Sequence, residues 1–215
     1  APSLNKGLKI TLRNNITSIP YIKMTLELLS RIGVLCSLKD NIIKIASKKK
    51  INDIKVSIES DWSSASYYYS LVALSNHQEI TLKTFRRDSI QGDSKVVDLY
   101  KKLGVETIFN ETDNSITIRK NGKKADDFLK INLIETPDIA QTIVVTCFGL
   151  GISCELTGLK TLKIKETDRL LALKIELQKL GAEITITDKS LRLKPTKTIA
   201  KNIVIDTYQD HRMAM

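Results

Sequence analysis

The sequence predicts an α/β fold assembled from repeated β-α-β-α-β-β units, and three observations carry that prediction. First, residues 18–45, 89–118 and 163–193 share one plan: an amphipathic helix, then Ile-Gly or Leu-Gly, then two alternating strands. The hinge glycines Gly33, Gly104 and Gly181 recur roughly every 71 to 77 residues, the spacing of a structural repeat. Second, a strand and a buried helix precede the later copies, in residues 56–74, 129–148 and 201–215, with strands expected near Val56, Leu129 and Lys201. Third, each unit ends in paired strands, which an open doubly wound sheet does not need. Several small sheets in a modular domain fit better.

Each element has a local reason. A helix often ends on a left-handed residue, and only glycine adopts that conformation without a steric penalty, hence the hinge glycines. The third copy shows the pattern best. Leu170, Leu173, Leu177 and Leu180 share one helical face, with Lys174, Gln178 and Lys179 elsewhere. Beyond Gly181, Ala182, Ile184 and Ile186 alternate with polar residues. The turn Thr187–Ser190 then leads into Leu191 and Leu193, which predicts a hairpin.

Composition narrows the function classes. Of 215 residues, 42% are hydrophobic and 27% charged, an ordinary globular balance. No apolar run approaches the roughly 20 residues of a membrane span; the longest, Ile143–Leu150, reads as a buried helix. Ala1–Thr11 lacks the long apolar stretch of a signal peptide, so a cytoplasmic location is expected. Cys36, Cys147 and Cys154 show no metal-ligand spacing and read as small buried hydrophobes of a reducing compartment. The net charge of +10 favours anionic partners, either nucleic acid or phosphorylated metabolites. Aromatics are sparse at 5%, which offers no base-stacking platform, and Lys48–Lys50 reads as a solvated turn between strands. The chain opens at Ala1 and stops as an apolar helix is beginning, so an excerpt of a longer protein is expected.

Three helix starts are chemically loaded, and free N–H groups with the helix dipole make such starts anion sites. Thr136-Pro137-Asp138 offers a capping threonine, a proline at the first helical position and a carboxylate just inside. Lys165-Glu166-Thr167-Asp168-Arg169 opens the third amphipathic helix, and Gln209-Asp210-His211-Arg212 opens the last. Asp138 is explained either by dipole complementarity or by chemistry. Lys165, Glu166 and Arg169 form either a surface ion-pair ladder or part of a polyanion site. Two cations at a helix N-terminus cost about 0.3–1 kcal/mol each, which a bound polyanion offsets. His77, in the turn Ser75–Gln78, has no such context and reads as solvated.

The segments ESDWSSASYYYSLVAL, TPDIAQT, KIKETDRLLALKIELQKLGAEI and TYQDHRMAM together resemble the 5-enolpyruvylshikimate-3-phosphate synthase family, in family order from about Leu8 to Met215. Ser60 departs from its pattern, standing where many members carry glycine, with the bulky Trp62 close by. The resemblance implies an enolpyruvyl-transferase-type lobe, an inside-out α/β barrel of three units, truncated here. Residues 1–58 would be the last unit of one lobe, and residues 59–215 most of the second.

It also implies residue roles. Asp138 matches the proton acceptor for the substrate hydroxyl, and Glu166 the acid that protonates the methylene carbon of phosphoenolpyruvate. Arg169 and Arg212 match a clamp on the phosphoenolpyruvate carboxylate, a task suited to guanidinium forks. Ser18, Tyr21 and Lys165 match contacts to shikimate-3-phosphate; His211 matches a nearby histidine, and Thr161 stands where some members carry a binding asparagine. The implied reaction needs a base, an acid and fixed positive charge, with no cofactor and no metal. Partners are then small-molecule substrates, with neither nucleic acid nor membrane, in an enzyme expected to be monomeric. Two rivals remain: UDP-N-acetylglucosamine enolpyruvyl transferase, which shares the chemistry, and a basic nucleic-acid-binding module, whose DNA affinity would be strongly salt-dependent.

Overall fold

Gly33, Gly104 and Gly181 take the left-handed conformation, with φ of 75°, 82° and 97°, so the chain turns at each helix end as the repeat requires. The computed structural model describes residues 1–14, 16–76 and 79–215; His77 lies outside the described residues. The first copy comprises β1 (Leu8–Thr11), α1 (Ile19–Arg31), β2 (Cys36–Lys39) and β3 (Ile42–Ile45). Next come α2 (Trp62–Leu74), β4 (Glu79–Lys83), α3 (Val96–Lys101), β5 (Val105–Asn110) and β6 (Ser115–Lys120). The last copy holds β7 (Phe128–Asn132), α4 (Ala140–Leu150), β8 (Ser153–Thr157), α5 (Arg169–Lys179), β9 (Ile184–Ile186) and β10 (Ser190–Leu193), followed by α6 (His211–Ala214).

Strand order exposes the repeat. The sheets run β1-β3-β2, β4-β6-β5 and β7-β8-β10-β9, so the closing strand of every hairpin lies between its partner and the strand before the helix. In the third sheet β7 adds in parallel to β8, with Leu129 opposite Cys154 and Ile131 opposite Leu156. A parallel pair needs a long crossover, and α4 supplies it.

The chain divides into two compact units, Ala1–Ile58 with Ile90–Gly92, and Glu59–Ser89 with Asp93–Met215. The first has a small core of Val34, Ile43 and Ile45, against which Ile22, Leu26 and Leu29 of α1 pack. The second has the larger core, centred on α2 and α4. Both helices are buried on most sides, so their polar side chains must pair with each other. Ser66 meets Thr142 at 3.0 Å, and Thr146 meets Ser70 and the Tyr100 hydroxyl at 2.8 Å each. Leaving one such hydroxyl unpaired would cost about 1–3 kcal/mol. Trp62 is fully buried: it meets Phe85 edge-on at 4.9 Å and donates Nε1–H to Glu59 at 2.8 Å. Among the described residues no helix is long and apolar enough to cross a membrane.

The structure corrects several expectations. The strand near Leu129 forms, but those near Val56 and Lys201 do not. A strand needs a neighbour to pair with, and here the Asp206 N–H bonds the Glu176 carboxylate while the Val204 carbonyl accepts from Lys179. Thr136 does not cap its helix; its hydroxyl donates to the buried Asp93 carboxylate. The helix after Lys165-Glu166 begins only at Arg169, capped by Asp168 accepting from the Leu171 N–H at 3.1 Å. Lys48–Lys50 follows β3 without turning into another strand, and Lys48 donates to the Gly33 carbonyl at 2.7 Å. Cys147 and Cys154 are fully buried, whereas Cys36 is half-buried and donates to the Leu26 carbonyl.

Candidate active site

Three separate segments of the second unit deliver the loaded helix starts to one place. Asp138 stands in the short 3-10 turn Pro137–Ile139 that runs into α4. The approach to this turn is fixed at Gly158, whose φ is +79°. A Cβ there would come within 2.5 Å of the Ile134 nitrogen and the Asn132 Oδ1. The loop 165–168 follows the 3-10 turn Lys160–Ile164 and leads into α5 at Arg169. The third segment is the start of α6, capped by Asp210.

Asp138 is the meeting point. Its Oδ1 lies 3.1 Å from Lys165 Nζ and 3.3 Å from Arg169 Nη1, and its Oδ2 lies 3.8 Å from Arg212 Nη2. Arg212 Nη1 also donates to the Asp138 carbonyl at 3.4 Å. The Asp138 side chain retains 16% exposure, so a ligand can reach it. Lys165 and Arg169 thus converge on a carboxylate from another segment, and Arg169 also keeps its local pair with Glu166.

Arg169 is deeply placed, at 1% exposure. Its Nε and Nη2 donate to the two oxygens of Asp210 at 2.7 and 3.1 Å, and Nη2 also donates to Glu166 at 2.6 Å. Three carboxylates therefore share its charge, which removes the puzzle of a cation at a helix start. Glu166 is half exposed. Burial works to raise the Asp210 carboxyl, but hydrogen bonds from Arg169 and the Arg212 N–H outweigh it and hold it below the usual carboxylate range.

The remaining expected residues divide. His211 is exposed, with Nδ1 3.8 Å from Asp210. Thr161 lies in the Lys160–Ile164 turn with its hydroxyl oxygen buried and no hydrogen-bond partner among the described residues. Ser18 and Tyr21 belong to the first unit: Ser18 precedes α1 with φ 55°, and the Tyr21 N–H bonds its carbonyl at 3.0 Å.

Residues missed in sequence also stand here. Asp61 caps α2 by accepting from the Ser63 and Ser64 N–H groups. Burial works to raise its carboxyl, but bonds from Ser64 and Ser63 hold it low. Burial raises the Tyr67 phenol against the pull of the Arg212 charge. An aspartate before a serine-rich helix was the available signal for Asp61; nothing local marks Tyr67. Chemically, the cluster offers a partly open carboxylate ringed by three cations, with a second, half-exposed carboxylate on Arg169. That suits an anionic ligand from which a proton is moved.

The model of the family EPSP synthase (3-phosphoshikimate 1-carboxyvinyltransferase) matches residues 1–215. A 3-phosphoshikimate 1-carboxyvinyltransferase of Bacteroides fragilis (strain YCH46) is 39% identical over 216 residues, covering 100% of this chain and 52% of that protein. The chloroplastic enzyme of that name from Petunia hybrida is 31% identical, with 100% and 42% covered. The chain spans about half the length of the curated relatives it matches. In fold, it is similar to EPSP synthase from Acinetobacter baumannii, with a TM-score of 0.70 at 16% identity over 99% of this chain and 50% of that one. The enolpyruvyl transferase NikO from Streptomyces tendae gives 0.57 at 11% identity, over 91% and 45%.

Proposed function

The chain belongs to the EPSP synthase family, and we propose that the whole protein transfers the enolpyruvyl group of phosphoenolpyruvate to the 5-hydroxyl of shikimate-3-phosphate, releasing phosphate. The observation that carries this reading is the convergence of Lys165, Arg169 and Arg212 on Asp138 from separate segments. Each substrate is a multiply charged anion, and preorganised cations stabilise charge most where water is excluded.

In this reading Asp138 accepts the proton of the 5-hydroxyl as its oxygen bonds to C2 of phosphoenolpyruvate. Glu166, half exposed and so open to a proton from solvent, passes that proton to C3. The tetrahedral adduct then loses phosphate from C2 while C3 returns a proton to the Glu166 carboxylate, restoring the double bond. Arg169 and Arg212 hold the donor carboxylate, and Lys165 contacts the shikimate substrate. The Thr161 hydroxyl, buried and with no hydrogen-bond partner among the described residues, is read as a partner for a substrate oxygen. By the family resemblance Ser18, Tyr21 and His211 are also read as binding residues. The domain reading follows: residues 1–58 supply the last unit of one lobe and 59–215 most of the other. The enzyme is read as a cytoplasmic monomer acting on small molecules alone.

Mass spectrometry of the full-length protein's reaction mixture tests the proposal. An enolpyruvyl adduct of shikimate-3-phosphate, formed with equimolar phosphate, is expected; adduct formed instead on a UDP-amino sugar would overturn it.

A further inference from the structure

Asp210 was not among the residues expected to act, yet it is the one carboxylate of the cluster with no exposed side-chain surface. It does two things at once. Its oxygens take the Nε–Nη2 side of the Arg169 guanidinium at 2.7 and 3.1 Å. Its Oδ1 also accepts the Arg212 backbone N–H at 2.9 Å, as the cap of α6. One rigid group therefore sets the position of both arginines.

The rest of Arg169 is arranged differently. Its Nη1–Nη2 end meets Asp138 at 3.3 Å and Glu166 at 2.6 Å, and both of these side chains are open to solvent in part. A fork whose side is bound by a buried carboxylate and whose end is bound by exposed ones has one permanent partner and two exchangeable ones. An incoming ligand carboxylate can replace Glu166 at the end of the fork without disturbing the side.

We propose that Asp210 is a positioning residue: it anchors the Nε side of Arg169 and the start of α6, so that the end of Arg169 and the side chain of Arg212 face the donor carboxylate together. This rests on the enolpyruvyl-transfer reading above. Glu166 is then the group displaced on binding, which frees its carboxylate beside the donor.

The test uses the full-length enzyme with Asp210→Asn and Asp210→Ser. Both replacements are good helix caps, so the start of α6 is kept while the charged fork partner is lost. The expected result for each is a rise of at least about tenfold in KM for phosphoenolpyruvate, with KM for shikimate-3-phosphate within about twofold of wild type, since bidentate pairing fixes geometry. A KM for phosphoenolpyruvate within twofold of wild type would overturn the proposal, as would equal losses for both substrates. Unfolding of both variants would also overturn it, because Asp210 would then be a folding element. Arg169→Ala separates the two readings. If that change leaves phosphoenolpyruvate binding intact, the assignment of the site itself fails; if it abolishes binding while the Asp210 variants do not, only the positioning role fails.

Discussion

Arg169 and Asp210 form a two-point ion pair at 2.7 and 3.1 Å, with each residue only 1% exposed. Desolvation offsets most of the attraction in such a pair, yet removing one partner is costly because the other stays buried and charged. Arg169→Ala is therefore expected to lower folding stability by about 3–5 kcal/mol. Arg169→Lys keeps the charge but loses the planar fork, so it should lie between. Urea denaturation of the three proteins measures this; equal midpoints would show that the pair is not closed in solution.

Arg212 has a different balance. Its side chain is 15% exposed and contacts Asp138 only at 3.4 and 3.8 Å. Arg212→Lys should leave stability within about 0.5 kcal/mol, as for a substitution outside a core, while weakening phosphoenolpyruvate binding and sparing shikimate-3-phosphate. Calorimetry with each ligand separately decides; equal losses would assign Arg212 to overall charge.

The depressed Asp210 carboxyl makes a pH prediction. A carboxyl whose folded pKa lies below its unfolded value, about 3.9, contributes stability that is present above the unfolded value and lost as pH falls through the folded one. The stability difference between wild type and Asp210→Asn should thus be constant above about pH 5 and shrink below about pH 4. Denaturation at a series of pH values checks it; a difference that grows on acidification would contradict the assigned direction.

Much of this architecture was legible in the chain. The spacing of Gly33, Gly104 and Gly181 announced three copies, and the leucines of α5 announced its buried face: Leu170, Leu173 and Leu177 are all at most 3% exposed. TPD, KETDR and DHR were each visible as loaded helix starts. Their convergence was legible only through family resemblance, because residue spacing reports neighbours within one helix and says nothing of segments far apart in the chain. Thr136 looked like a cap because its local pattern was right, but the buried Asp93 competes for its hydroxyl. Asp210 hid in plain view for the opposite reason: an aspartate at a helix start already has an ordinary explanation. The strand near Lys201 failed because Glu176 and Lys179 of α5 bind the backbone there, which local alternation does not report; nothing in the structure explains the one near Val56.

Gly158 links fold to site. Its left-handed φ, and the 2.5 Å at which a Cβ would meet the Ile134 nitrogen, leave no room for a side chain. Gly158→Ala should cost about 1–3 kcal/mol in strain and shift the loop that leads to Asp138, lowering kcat by about tenfold or more, as misplacement of a reacting group does. Steady-state kinetics beside thermal denaturation would show it; unchanged kcat with lowered stability would mean that the loop's placement does not set the chemistry.

The most direct test of the account is phosphate release by the full-length protein and its Asp138→Asn variant, with both substrates present. The cluster around Asp138 should support wild-type turnover in the usual enzyme range of about 1–10³ s⁻¹, strictly dependent on both substrates. Asp138→Asn keeps the side-chain volume but cannot accept the proton, so kcat should fall by about 10²–10⁴-fold with little change in either KM. Retention of more than about a third of the wild-type kcat, far above what loss of a general base allows, would contradict the claim that this cluster performs the transfer.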